Sequence, residues 1–195
     1  MKYVIYVADV ETTGLDIRDN DIIELSLIRL IDNVQQTWCL KPIDIEHIQA
    51  GALRVNGHKL EDLLHQTKEG RERYLDPKKV IVDIENWIMD DGVPAENRIL
   101  CGQNIAFDKF MLENLWTKCD SKDSFPFGRR MMDTMMIEFF MDWCKGEMAE
   151  GYSLNNLVKK YGVKNDKAHT AAADTKATKE VFEQQVAMFK KILNA

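Results

Sequence analysis

The segment Tyr3-Val4-Ile5-Tyr6-Val7-Ala8-Asp9-Val10 constrains the fold of this chain more than any other, being apolar throughout except for one carboxylate near its end. Such a run reads as a strand covered on both faces, which places it at the centre of a sheet. Residues 22–31 and 35–40 read as two further strands, joined through the turn-like pair Asp32-Asn33. Ile99-Leu100-Cys101-Gly102 reads as a short buried strand. Helices are expected over 45–53, 60–66, 77–90, 105–116, 133–143 and 153–161, with Pro77 in the first turn of its helix. A last helix is expected from just after His169 nearly to the end. The charge-dense stretch Lys68-Glu69-Gly70-Arg71-Glu72-Arg73 reads as an exposed loop. Hairpin-linked strands followed by strands alternating with helices imply an α/β fold, a mixed sheet with helices on both faces. At 195 residues, without an internal repeat or a low-complexity linker, residues 1–195 read as a single domain.

Composition narrows the function. No run approaches the ~20 apolar residues that a membrane span needs, so no membrane partner is expected. The N-terminus lacks the features of a signal peptide. Cys39, Cys101, Cys119 and Cys144 are too far apart for a zinc knuckle or a disulfide framework, and Cys39 and Cys101 are expected to be buried. A reducing, cytoplasmic setting is expected. The formal net charge of −6 argues against a protein that holds long duplexes through their phosphates. It suits a short nucleic-acid footprint with bound metal ions supplying positive charge.

Certain carboxylates stand out against this background. Asp9 and Glu11 are two residues apart at the end of the first strand, so both point to one face. Their repulsion and burial would both be relieved by a divalent cation. Thr12-Thr13-Gly14-Leu15-Asp16 then forms a turn that takes the chain out of the sheet. Asp108 falls in the first turn of a helix just after a strand, where the helix dipole also favours a carboxylate. His169 and Asp174 are five steps apart, and on one helix they would diverge by ~140°. They reach one site if His169 lies in the preceding loop and Thr170 is the N-cap, with Ala171, Ala172 and Ala173 allowing close packing.

Asp9 with Val10-Glu11-Thr12-Thr13-Gly14, then Asn104-Ile105-Ala106-Phe107-Asp108, then His169-Thr170-Ala171-Ala172-Ala173-Asp174 resemble the three motifs of the DEDDh 3′→5′ exonucleases. That family includes proofreading subunits of bacterial polymerases, ribonuclease T and oligoribonuclease. Val55-Asn56-Gly57, Asp133-Thr134 and the stretch from Ser153 to Gly162 are similar as well. The resemblance implies an RNase H-like mixed five-stranded sheet and a site in which Asp9, Glu11, Asp108 and Asp174 hold two Mg²⁺ ions, with Mn²⁺ as a substitute. It implies that His169 is the general base and that the products are nucleoside 5′-monophosphates. Leu15 matches the position of an apolar wedge in relatives, and Phe107 is a second candidate surface or a core residue. Thr12, Thr13, Gly14 and Asn104 complete the expected substrate contacts. The sequence departs from the family at Gln103, where many relatives have histidine, and at Val55-Asn56-Gly57-His58, where the usual turn is Val-His-Gly.

The expected partner is the 3′ end of single-stranded DNA or RNA, with DNA favoured. A homodimer is an assembly that some relatives adopt, and no polymerase-binding tail is expected after Asp174. Lys68, Arg71, Arg73, Lys78 and Lys79, or Arg129 and Arg130, are candidate guides for the strand backbone. Trp38, Trp87, Trp116 and Trp143 are expected in the core or in helix packing. The alternative is a non-catalytic nucleic-acid or polymerase-binding module of the same fold.

Overall fold

The computed structural model describes residues 2–122 and 124–194, so Met1 and Ala195, the ends of the expected domain, lie outside the described residues. Strands β1 (Val4–Thr12), β2 (Ile22–Arg29), β3 (Val34–Cys39), β4 (Arg98–Gly102) and β5 (Met131–Asp133) form one sheet in the order β3-β2-β1-β4-β5. β1 pairs antiparallel with β2 and parallel with β4, so the most apolar strand is the central one. β2–β3 is antiparallel and β4–β5 parallel, which makes the sheet mixed.

The helices are α1 (Ala50–Asn56), α2 (Leu60–Leu63), α3 (Lys68–Arg73), α4 (Pro77–Met89), α5 (Ile105–Lys118), α6 (Thr134–Lys145), α7 (Leu154–Tyr161) and α8 (Ala171–Leu193). Alternation along β1 divides the core. Val4, Tyr6, Ala8 and Val10 join Leu25, Leu27 and Leu100 in packing with Ile84 and Ile88 of α4 and Leu112 and Leu115 of α5. Val7, with Ile28 and Cys101, packs on Phe182 of α8. Asp9 and Glu11 share the parity of Val7, so they continue the α8 side beyond the point where the apolar packing ends.

Local signals explain the helix starts. Asp76 caps α4 by accepting from the Lys78 N–H, and Pro77 occupies the first turn. Thr170 caps α8, its hydroxyl accepting from the Ala173 N–H, and His169 precedes it with φ 68°. α5 starts differently. Asn104 is left-handed (φ 56°) and makes no side-chain cap. The cap comes from the end of β5, where Asp133 accepts from the Asn104 and Ile105 N–H groups at 3.2 and 3.1 Å. The same carboxylate caps α6, accepting from the Met135 N–H at 2.9 Å.

Some expectations are corrected. Lys68–Arg73 is helical rather than a loop, because Thr67 caps it through the Gly70 N–H and Lys68 pairs with Glu72 one turn on. The helix expected over 45–53 starts only at Ala50 and ends at the left-handed Gly57, and the one expected over 60–66 closes at Leu63. Trp38 and Trp116 are buried and Trp87 packs beside them, but Trp143 is 67% exposed and stacks on Phe139 at the surface of α6. Cys101 is buried, whereas Cys39, near an outer strand's end, is only half-buried.

Asp133 serves two helices, so Asp133→Ala should destabilise the protein by about 2–3 kcal/mol, at roughly 1 kcal/mol or slightly more per cap. Urea denaturation followed by circular dichroism reads this directly. A loss under about 0.5 kcal/mol would show that neither start depends on this carboxylate.

Candidate active site

Three chain segments deliver carboxylates to one end of the sheet. Asp9 and Glu11 come from the end of β1 and Asp174 from the first turn of α8, and these three offer oxygens that all lie within 4.8 Å of one another. Asp108 is not part of this trio. It reaches β1 from α5 and accepts from the Val10 N–H at 3.0 Å, on the backbone between Asp9 and Glu11. Asp174 is held by two donors, Asn165 Nδ2 at 2.6 Å and the His169 N–H at 3.0 Å. The exposed His169 is thereby tied through its backbone to the same carboxylate.

The electrostatics of this cluster are unfavourable as it stands. Burial, then the charges of Asp108, Asp174 and Glu11, pushes the Asp9 carboxyl well above the ordinary carboxylate range. Burial raises Glu11 to about 7, aided by Asp174 and Glu24 and opposed by a hydrogen bond from Asn56. Burial also raises Asp108 to about 8, against the lowering effect of the Val10 N–H. Several other buried carboxylates have cationic partners: Asp91 pairs with Arg98, Asp21 with Lys118, and Asp142 with Lys160, whereas Asp62 accepts from the Thr67 hydroxyl. Among the described residues, no lysine or arginine pairs with Asp9, Glu11, Asp108 or Asp174. Hard oxygen donors gathered without a protein cation fit a divalent ion such as Mg²⁺ or Mn²⁺.

The turn after Glu11 shapes the rim. The Thr12 hydroxyl donates to the Gly14 carbonyl at 2.6 Å, and Thr13 Oγ1 accepts from the Asp21 N–H at 2.9 Å. A Cβ at Gly14 would collide with the side chains of Asn20 and Gln49, so a larger residue here would force both to shift. Leu15 follows and is 79% exposed, free to meet a ligand. Phe107 packs partly against the core, and Asn104 stands at the left-handed entry to α5. Gln103, one of the departures, donates to the Tyr152 carbonyl at 2.6 Å and accepts from the Thr134 hydroxyl at 2.7 Å.

The first basic cluster is largely engaged within the protein. Arg73 turns inward to Glu24 and the Cys39 sulfur, Arg71 donates to the His65 carbonyl, and Lys78 approaches Asp120 at 4.0 Å. Arg129 and Arg130 are exposed. Sequence reasoning missed Glu24, Asn56, His58 and Asn165 as supports of the site. Glu24 had a readable signal: it is the lone charge in the apolar run Ile22-Ile23-Glu24-Leu25. Burial would raise its carboxyl, but the His58 hydrogen bond and charge outweigh this and lower it.

Residues 6–182 match the family described as exonuclease. The chain belongs to this exonuclease family. By family it is a DEDD-type 3′→5′ exonuclease domain, and its sheet is the RNase H-like sheet of that group. It is 27% identical over 191 residues to a PolC-type DNA polymerase III of Staphylococcus aureus and 26% identical over 186 residues to that of Thermotoga petrophila. These matches take in 97% and 95% of this chain but 12% of each polymerase. Among solved structures, Escherichia coli Exonuclease I in complex with a dA16 oligonucleotide superposes with a TM-score of 0.70 at 20% identity, over 94% of this chain and 40% of that one. The zinc-bound form of its single-stranded DNA complex gives 0.72 at 20% identity, over all of this chain and 43% of the other.

The raised Glu11 carboxyl has a consequence for metal-free protein. The folded state holds its proton up to about pH 7, whereas the unfolded chain releases it near ~4.3, so ionisation costs folded stability between those values. Glu11→Gln removes the cost. In EDTA the variant should match wild type near pH 4 and become about 1–3 kcal/mol more stable by pH 8, a range discounted for partial exposure. Denaturation curves across that pH range test this. A stability difference that does not change with pH would refute the raised value.

Proposed function

We propose that this domain removes nucleotides one at a time from the 3′ end of single-stranded nucleic acid, preferring DNA to RNA, and releases nucleoside 5′-monophosphates. The observation that carries the reading is the convergence of the half-buried Asp9 and Glu11 with Asp174 beside the buried Asp108 at one sheet end, with no lysine or arginine paired to them among the described residues. Support for a DNA strand comes from the relatives, which are DNA polymerases, and from the oligonucleotide complexes of Exonuclease I.

Two Mg²⁺ ions, with Mn²⁺ as a substitute, are the proposed occupants of the four carboxylates. When bound, they would offset the carboxylate charge, polarise the phosphodiester and acidify an attacking water. His169 accepts that water's proton, and its backbone bond to Asp174 keeps the imidazole's loop against the site. Leu15, exposed at the rim, separates the terminal base from its neighbour by apolar contact. Such contact tolerates any base, so little sequence preference follows. The leaving group is the 3′-oxygen of the preceding nucleotide.

The test uses 5′-labelled single-stranded DNA and RNA of equal sequence, with Mg²⁺ or with EDTA. A metal-dependent ladder that shortens from the 3′ end, faster on DNA and abolished in Asp9→Ala, is the expected result. No degradation by folded protein in Mg²⁺ or Mn²⁺ would favour the binding-module reading. His169→Ala should lower kcat about 100-fold or more, in line with the loss of a general base. A kcat within about 3-fold of wild type would remove His169 from that role.

A further inference from the structure

We infer that Glu24 is a positioning residue that fixes the start of α8, and with it Asp174 and His169, against the strand carrying Asp9 and Glu11. This rests on the exonuclease reading of the site. Glu24 lies directly across the β1–β2 ladder from Glu11 and is 4% exposed. Its Oε1 accepts from the Ala172 N–H at 3.4 Å. Ala172 lies two residues before Asp174 and three after His169, so this bond joins the two strands to the one helical turn that completes the site.

The contact answers a specific need. The first N–H groups of a helix have no partner within it. At α8, Thr170 takes the N–H groups of Ala173 and Asp174, which leaves that of Ala172 for Glu24. The positive end of the helix dipole also favours a carboxylate at this point. Gln35 Nε2 donates to the Ala172 carbonyl at 2.8 Å, so the residue is gripped from β3 as well.

A carboxylate buried across the ladder from Glu11 needs compensation, and Glu24 receives it at its other oxygen. Its Oε2 lies 3.3 Å from His58 Nε2 and 3.4 Å from an Arg73 guanidinium nitrogen. His58 Nδ1 in turn meets the buried Tyr74 hydroxyl at 2.7 Å. The turn before His58 serves the opposite strand, as Asn56 Nδ2 donates to the Thr12 carbonyl at 3.1 Å. Both departures in Asn56-Gly57-His58 thus brace the strand pair behind the carboxylates. Glu24 touches no reacting atom; it acts through the placement of Asp174 and His169.

Two substitutions separate reach from charge. Glu24→Gln keeps the side-chain length and an acceptor oxygen but removes the charge, while Glu24→Asp keeps the charge and is one methylene too short for Ala172. Mn²⁺ binding to each full-length variant would be measured by calorimetry, beside kcat and KM on a single-stranded oligonucleotide. For Glu24→Asp we expect Mn²⁺ affinity at least 10-fold weaker and kcat about 10- to 100-fold lower, with KM within about 2-fold of wild type. Glu24→Gln should stay within about 3-fold of wild type in all three. Wild-type values for Glu24→Asp, or Glu24→Gln impaired more than Glu24→Asp, would overturn the inference. So would a variant that melts earlier while its kcat and Mn²⁺ affinity are unchanged. If wild type binds Mn²⁺ yet degrades no strand, the exonuclease reading fails, and the Mn²⁺ affinities of the variants still decide the role of Glu24.

Discussion

Asp9 sits half-buried near the end of the central strand, flanked by Glu11, Asp108 and Asp174, and the rest of the molecule is arranged around keeping those charges together. In a low-dielectric setting, carboxylates so close repel each other and lose solvation, and each of these costs is several kcal/mol when uncompensated. The protein compensates several buried acids elsewhere with arginine or lysine, as Arg98 does for Asp91 and Lys118 for Asp21. At the sheet end, among the described residues, it supplies backbone N–H groups and the amides of Asn56 and Asn165. Selective omission of cations at one place, in a fold that uses them freely at others, is the physical signature of a site meant for a cation from solution.

Holding the cluster together requires rigid supports on every side. β1 is rigid because it is central, paired on both edges. Asp108 is fixed by its bond to Val10 and by α5, whose entry depends on Asp133 at the end of β5. Asp174 depends on the first turn of α8, pinned by Thr170 from within and by Glu24 and Gln35 from the sheet. Asp133 and Glu24 thus hold the starts of the helices that carry Asp108 and Asp174, each through backbone N–H groups of those helix starts.

Much of this was legible in sequence because local chemistry dictated it. The apolar run from Tyr3 to Val10 named the central strand, and Thr170 before three alanines marked a helix start that takes His169 out of the helix. The five candidate residues were readable as motif and as chemistry together. What escaped depends on contacts distant in sequence. β5 has three residues and becomes a strand only by pairing with β4, so no periodicity could reveal it. Lys68–Arg73 looked like a solvated loop because its charges hide the cap at Thr67 and the inward turn of Arg73. Trp143 looked like a core residue, but the inner side of α6 is occupied by Met141 and the buried Glu138, which leaves the indole outside. The support given by Glu24 spans 148 residues to Ala172, beyond any local pattern.

The inward use of cations also bears on how an acidic chain can meet a polyanion. Arg29, Arg73, Arg98, Lys118 and Lys160 all pair with carboxylates of the protein, so these cations are engaged internally rather than offered to a strand, in a chain whose net charge is −6. Long-range attraction of a strand, which grows with the number of phosphates neutralised, is correspondingly weak. Attraction must arise where the carboxylate cluster is itself neutralised, at a point rather than along a track. A point of attraction beside an exposed Leu15 suits a chain end better than an internal stretch, since only an end can enter without threading past an acidic surface. The charge balance that argues against holding long duplexes therefore agrees with an enzyme that works from a terminus.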